Sequence, residues 1–163
     1  MQTTVSTPDG PFTIIADDHA VLASGWTLDA EALTALIHPG LRAMAGSAES
    51  DDALVQAQEA VGGYYSGDVA APSAVPVRQK SGPYRELAWE TLRQVGPGAP
   101  LTYAEFARRS GSPTAVRAAA GACAQNAAAL FVPCHRVIRS DGTLGGFRYG
   151  LDLKRSLLDR ERR

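Results

Sequence analysis

The sequence predicts an α+β protein in two parts: a small antiparallel sheet with helices over residues 1–80, and a helical region over 81–163. Three observations lead there. Short β-rich runs separated by turn residues open the chain. Apolar residues at helical spacing dominate the rest. The charge also divides near residue 80: ten acidic against three basic residues before it, seven against thirteen after it, or −7 and +6 within a total of −1. Such a split suggests two regions with different tasks, and the basic half suits a polyanion through phosphate neutralisation.

The elements follow in order. Pro8-Asp9-Gly10-Pro11 is turn chemistry between Thr4-Val5 and Phe12-Thr13-Ile14-Ile15. Asp17-Asp18-His19 is a second turn before Val21-Leu22, which makes a short meander. Asp29 caps a helix through Ile37, and His38-Pro39-Gly40 ends it. A further helix covers 53–65, and Ser66-Gly67-Asp68 stops it. Residues 71–76 are rich in Pro and Ala without a period, so a linker or an extended crossing is expected there, within a linker at about 71–80. Over 84–95, Leu87, Ala88, Thr91, Leu92 and Val95 share one helical face. Thr102 caps a helix over 103–109, Gly111-Ser112-Pro113 turns, and Thr114 caps a helix from Ala115 to about Gln125. Helix, short glycine turn, helix is the helix-turn-helix pattern. Residues 130–132 read as a short buried strand, and 152–163 as a terminal helix with Leu153 and Leu157 or Leu158 inward.

Composition bounds the function. A chain of 163 residues, 45% hydrophobic and 20% charged, can bury a core, which excludes wholesale disorder. No apolar run reaches the ~18 residues of a membrane span. The N-terminus lacks a basic region followed by an apolar stretch, so no secretory signal is expected. Two cysteines, Cys123 and Cys134, make neither a disulfide scaffold nor a four-thiolate metal site. A reducing, cytoplasmic compartment is expected.

The second helix of the pair carries an unusual message. A helix that reads bases needs outward Arg, Asn, Gln or Lys over two or three turns. Residues 114–126 offer Arg117 and little else before Gln125. Small residues let a helix approach its partner closely without specifying a sequence, and a lone Arg suits insertion between bases. An ordinary packing helix with a surface arginine has the same composition. Cys134 stands between Pro133 and His135-Arg136 in the basic half, where a neighbouring cation raises the thiolate fraction. A lone cysteine is also commonly a small buried residue, as expected for Cys123 among alanines. Glu161 is available to orient His135, and equally suits a solvated helix face. His19 and His38, at turns, read as structural or solvated.

Pro133-Cys134-His135-Arg136-Val137 resembles the active-site motif of the O6-alkylguanine-DNA alkyltransferases, the methylated-DNA–protein-cysteine methyltransferases. Asn126 lies eight residues before the cysteine, as in that family. Thr102-Tyr103, Ala115-Val116-Arg117-Ala118, Trp89, the segment 154–161 and Gly145-Gly146-Phe147-Arg148-Tyr149-Gly150 are similar to its other motifs, in register. Over 1–80 the likeness is looser and rests on Tyr64-Tyr65-Ser66-Gly67 and the opening hairpin.

The resemblance implies a ribonuclease-H-like N-terminal domain over 1–80, and over 81–163 a winged-helix-like domain that binds DNA and accepts the alkyl group. It implies that Cys134 takes the alkyl group from O6-alkylguanine, and from O4-methylthymine, once per molecule and without cofactor. His135 would draw the thiol proton through a water, oriented by Glu161. Asn126 would brace the turn, and Tyr103 would crowd a phosphate and help protonate the leaving guanine. Arg117 would fill the gap in the base stack, with Thr114, Ala115 and Ser140 against the DNA. Val137, Phe147, Arg148 and Tyr149 would line the pocket for the flipped base. The implied partner is double-stranded DNA bearing alkylated bases, bound by a monomer away from any membrane. The chain departs from the family at Phe147, often Tyr; at Ala127, commonly Pro; and at Tyr149, Gly in some members, where a ring would narrow the pocket. The Cys and His set of the zinc-binding members is absent, so no metal is expected.

Overall fold

The computed structural model describes residues 1–162, which cluster into two compact units. The first holds Met1–Lys80 and Ala127–Phe131; the second holds Ser81–Asn126 and Val132–Arg163. Residues 127–131, expected in the C-terminal part, therefore belong with the first unit.

In the first unit, β1 (Gln2–Thr7) pairs antiparallel with β2 (Gly10–Ala16), and β2 with β3 (Val21–Gly25), so β2 is central. The hairpin closes as its turn residues require. Gly10 has φ +111°, a conformation that favours glycine, and the Asp9 amide donates to Thr7 Oγ1. One face of β1 meets solvent, whereas β2 from Phe12 onward and all of β3 are buried. The outer edge of β3 is not left open. Val21 bridges to Val77 and Ser24 to Ala128, both parallel, with Ala129 N donating to Ser24 O at 3.1 Å and Ser24 Oγ to Ala129 O at 2.7 Å.

Helix α1 (Ala30–Leu36) is capped by Asp29, whose carboxylate accepts from Ala32 N. The expected stop at His38-Pro39-Gly40 is instead the start of α2 (Pro39–Gly46). His38 Nδ1 accepts from Gly40 N, and Pro39 takes the first turn, where its missing N–H costs nothing. Helix α3 (Asp52–Tyr65) buries Tyr64 completely. Phe12 and Trp26 meet edge to face at 4.8 Å, and Phe131 lies 6.2 Å from Phe12. Residues 71–76 do not form a free linker: Ala71–Ala74 is a 3-10 turn, Val75 is buried, and Pro76 O accepts from Val21 N.

In the second unit, α4 (Pro83–Arg93) buries Ala88, Trp89 and Leu92, while Leu87, expected on that face, is exposed. Strand β4 (Leu101–Thr102) runs parallel to β5 (Val137–Ile138). Thr102 Oγ1 accepts from Glu105 N and so caps α5 (Tyr103–Arg109). After a turn with Gly111 at φ +85° comes α6 (Val116–Ala124). Its N-cap is Ala115, without a side-chain bond, so Thr114 does not cap it. Trp89 Nε1 donates to Ala122 O and ties α4 to α6. Residues 130–132 are a turn and not a strand. Leu130 has φ +73°, and the bridge to the sheet comes earlier, at Ala128. Helix α7 (Leu151–Glu161) closes the unit. No helix among the described residues is long and apolar enough to cross a membrane.

Candidate active site

Cys134–Arg136 is a single 3-10 turn. Adjacency in a strand would send Cys134 and His135 to opposite faces; a turn removes that objection. The turn is held from below. Asn126, 3% exposed, donates from Nδ2 to Val132 O at 2.8 Å, and Cys134 N donates to the same carbonyl at 2.8 Å.

One carboxylate organises the far side. Glu161, at the end of α7, receives His135 Nε2 at 2.7 Å, Arg136 Nε at 3.0 Å and Arg136 Nη2 at 3.1 Å. Arg136 also donates to Val95 O at 2.6 Å. The His135 and Glu161 side chains are each 1% exposed. The close approach of the loop after α4 needs glycine: Gly98 has φ +78°, and a Cβ there would lie 3.0 Å from Glu161 O.

The charge states follow from these contacts. Burial would raise the Glu161 carboxyl, but hydrogen bonds from His135 and Arg136 overcome it and hold the group at about 2. Burial lowers the His135 imidazole, and the positive Arg136 and Lys154 add to that, against Glu161. The resting pair is therefore neutral imidazole and carboxylate. With Nε2–H committed to Glu161, Nδ1 is the acceptor nitrogen, and it has no protein partner among the described residues. Burial pushes the Cys134 thiol up, while Asn126, Lys154 and Arg148 pull it down, the net being a raised value. Cys134 is thus a thiol at rest, and a base must take its proton before it becomes a nucleophile. The Cys123 thiol is pushed up as well, by burial and then by Cys134.

Sequence reasoning gave no role to Lys154. It is fully buried, and Nζ donates to Val137 O at 2.7 Å, to Gly146 O at 3.2 Å and to Leu144 O. It thereby pins the strand after the Cys134 turn and the loop beyond it to α7. The signal was present: Lys154, Leu157, Leu158 and Glu161 form one buried stripe. Arg136 was visible in the motif but not as the partner of Glu161.

The remaining candidates surround a second feature. Tyr103, Arg117 and Ser140 line an open groove of about 430 Å³, together with Val116, Arg139 and Gly145. Gly145 has φ +72°, and a Cβ there would lie 3.1 Å from the Tyr103 ring, so the loop crosses directly over that ring. Burial, then the two thiols, pushes the Tyr103 hydroxyl up to about 12, against Arg139. Arg117 is exposed on α6; Thr114 and Ala115 stand at the start of that helix. Val137 is fully enclosed in β5. Phe147 and Tyr149 meet edge to face at 5.7 Å. Arg148, expected to line the pocket, directs its guanidinium to the end of α6, donating to Asn126 O at 3.0 Å and to Ala124 O. No three His, Cys, Asp or Glu among the described residues converge as a metal site.

Residues 83–163 match the model of the 6-O-methylguanine DNA methyltransferase DNA-binding domain. The chain is 42% identical over 90 residues to the bifunctional transcriptional activator/DNA repair enzyme Ada of Escherichia coli, covering 55% of this chain and 25% of that one. It is 35% identical over 118 residues to the methylated-DNA–protein-cysteine methyltransferase of Mycolicibacterium paratuberculosis, covering 72% of this chain and 71% of that one. The crystal structure of a variant of the Mycobacterium tuberculosis O6-methylguanine methyltransferase superposes with a TM-score of 0.77 at 25% identity, over 99% of this chain and 92% of that one. The match takes in a quarter of the Ada protein and 55% of the Haemophilus influenzae methyltransferase. With a relative at 35% identity aligned over more than two thirds of both chains, and the Pro133–Val137 motif lying within the matched domain, the protein belongs to the methylated-DNA–protein-cysteine methyltransferase family.

Proposed function

We propose that this chain repairs DNA by moving the alkyl group from O6 of guanine in duplex DNA onto Cys134, once per molecule. The observation that carries the reading is the buried Glu161–His135 pair beside Cys134, which leaves Nδ1 as the one imidazole nitrogen able to accept a proton.

In this mechanism the Cys134 proton passes through a water to His135 Nδ1, and Glu161 stabilises the imidazolium that results. The thiolate sulfur attacks the alkyl carbon. The S–C bond forms as the C–O6 bond breaks, and the electron pair moves onto the guanine. Tyr103 supports protonation of that leaving group. The product is a thioether with no easy leaving group, so the acceptor is consumed and no cofactor is required.

The alkyl carbon becomes reachable when the nucleotide turns out of the duplex, at a cost of a few kcal/mol. Arg117 offsets part of this by entering the stack, while Thr114, Ala115 and Ser140 meet the backbone. Phe147 and Tyr149 face the everted base. A helix whose outward face offers Arg117 among small residues suits lesions in any sequence context. O4-methylthymine is included as a second substrate by the same displacement. The reading also carries a ribonuclease-H-like first unit, a winged-helix-like second unit, and a monomer acting in the cytoplasm, the last on two free thiols.

Intact mass spectrometry after incubation with duplex DNA carrying O6-methylguanine tests the proposal. The expected result is a gain of one methyl, mapped to Cys134, saturating at one equivalent. Cys134→Ala should still bind DNA and gain nothing. Continued turnover, or an unmodified chain with the lesion intact, overturns the mechanism.

A further inference from the structure

Several arginines of the second unit are spent inside the protein. Arg108 and Arg109 are held by Glu105, Arg136 by Glu161, and Arg148 by carbonyls at the end of α6. Arg139 is not. It is exposed, and among the described residues its guanidinium makes no hydrogen bond or ion pair. It lines the groove shared by Tyr103, Arg117 and Ser140.

The backbone that presents Arg139 is fixed. Arg139 N donates to Thr143 O and Gly142 N to Arg139 O, both at 3.0 Å, which closes a turn over 139–143. The acid of that turn is Asp141. Its carboxylate accepts from Thr143 N at 2.9 Å and from Thr143 Oγ1 at 2.7 Å, so it is committed within the turn and not to Arg139. Beyond the turn, Arg139 meets Gly145. A Cβ there would lie 3.6 Å from Arg139 Cγ and 3.2 Å from Tyr103 Oη, so the two side chains flank one glycine. Ser140, next in the chain, is exposed and adds a hydroxyl without a partner among the described residues.

This arrangement suits an anion with several oxygens. A planar guanidinium meets two phosphate oxygens at once, and a concave surface strengthens the field of the charges that line it. The groove lining carries two guanidiniums and no carboxylate. Arg117 is assigned above to the base stack, which leaves Arg139 for the backbone.

We propose that Arg139 is a DNA-binding residue of the repair reaction, whose guanidinium takes a phosphodiester of the damaged strand beside Tyr103 and holds it while the nucleotide is out of the stack. The inference rests on the alkyl-transfer reading above. Arg139 then acts on the nucleic acid and not on the sulfur.

The experiment measures affinity for a duplex carrying O6-methylguanine as salt is raised. Full-length Cys134→Ala protein is used so that nothing reacts, with and without Arg139→Ala. Each neutralised phosphate contributes about 0.9 to the slope of log affinity against log salt. Arg139→Ala should therefore flatten the slope by about one, and Arg139→Lys, which keeps the charge, should not. Duplexes with a neutral methylphosphonate at one backbone position at a time then locate the contact. One position near the lesion should weaken the protein that retains Arg139 by on the order of tenfold. The same duplex should cost Arg139→Ala almost nothing more, because that contact is already gone. An unchanged slope, or penalties that add at every methylphosphonate position, overturns the assignment. If Arg139→Ala loses its cooperative thermal transition, Arg139→Gln is read in its place by the same two criteria. Wild type that leaves O6-methylguanine untouched refutes the transfer reading itself, a different result from transfer with an unaltered slope.

Discussion

Glu161 Oε1 lies 2.7 Å from His135 Nε2, while the same carboxylate holds the guanidinium of Arg136 through both oxygens. One buried anion thus fixes the tautomer of the proposed base and neutralises a buried cation. The two duties are inseparable, since any change at Glu161 disturbs both.

Glu161→Gln should therefore cost stability and activity together. It leaves Arg136, 7% exposed, without its counterion, and breaking a buried pair in this way costs about 3–5 kcal/mol. Urea denaturation measures the loss. Transfer to Cys134 should also slow by as much as ~10²-fold as imidazole orientation is lost. A variant of unchanged midpoint would show that the pair contributes nothing to the fold.

Acid should destabilise the protein in two stages. The His135 imidazole is depressed by burial, so below its ordinary value near ~6.5 the unfolded chain binds the proton first and stability begins to fall. The Glu161 carboxyl is held at about 2, so its contribution is complete above the ordinary carboxyl range and disappears as pH falls through about 2. Urea midpoints recorded from pH 7 to 3 should decline throughout. A flat profile would contradict both assignments.

Asn126→Ala should act on the thiol as well as on the fold. Val132 O keeps its bond from Cys134 N, so losing the one from Asn126 costs about 0.5–1.5 kcal/mol. Asn126 also lowers the Cys134 thiol, so its removal should shift the pH dependence of alkylation by iodoacetamide to higher pH. An unmoved pH profile would separate Asn126 from the sulfur.

Arg117→Ala should distinguish duplex from free base. Replacing lost stacking worth roughly 2 kcal/mol corresponds to about a 30-fold slower reaction with duplex lesions. Reaction with free O6-alkylguanine should stay near wild type. Equal losses on both substrates would remove the flipping role.

Cys123→Ala should retain transfer. Both thiols are raised by burial, but only Cys134 has the Asn126 amide and Arg148 beside Lys154 to draw it down, and it stands next to His135. Loss of methyl uptake in this variant would move the acceptor assignment to the other sulfur.

What was legible in the sequence was local. Asp29 and Thr102 cap helices through bonds to amides three residues on, and the Pro8-Asp9-Gly10 turn closes its hairpin within a few residues. Of the elements misjudged, some turn on a local contact and others are decided at a distance. His38-Pro39-Gly40 reads as a breaker, yet an imidazole accepting from Gly40 N makes it a helix start. The apolar run at 130–132 looks like a strand, but the edge of β3 selects Ala128, and Leu130 turns the chain away. In the site, Asn126, Cys134 and His135 lie within ten positions of one another and could be grouped by motif. Lys154 escaped because a charged side chain on a helix is ordinarily solvated; its burial follows from three backbone carbonyls that converge only in the folded unit.

The excursion of residues 127–131 has a practical result for anyone wishing to trim the protein. These five residues draw their hydrogen bonds from Ser24 and Gln79, and they end two positions before Pro133. Deleting the first eighty amino acids would strip those attachments from the stretch of chain that precedes Cys134 and bare Phe131 to water. Residues 127–131 would then be left without the hydrogen bonds and the ring contact that hold them.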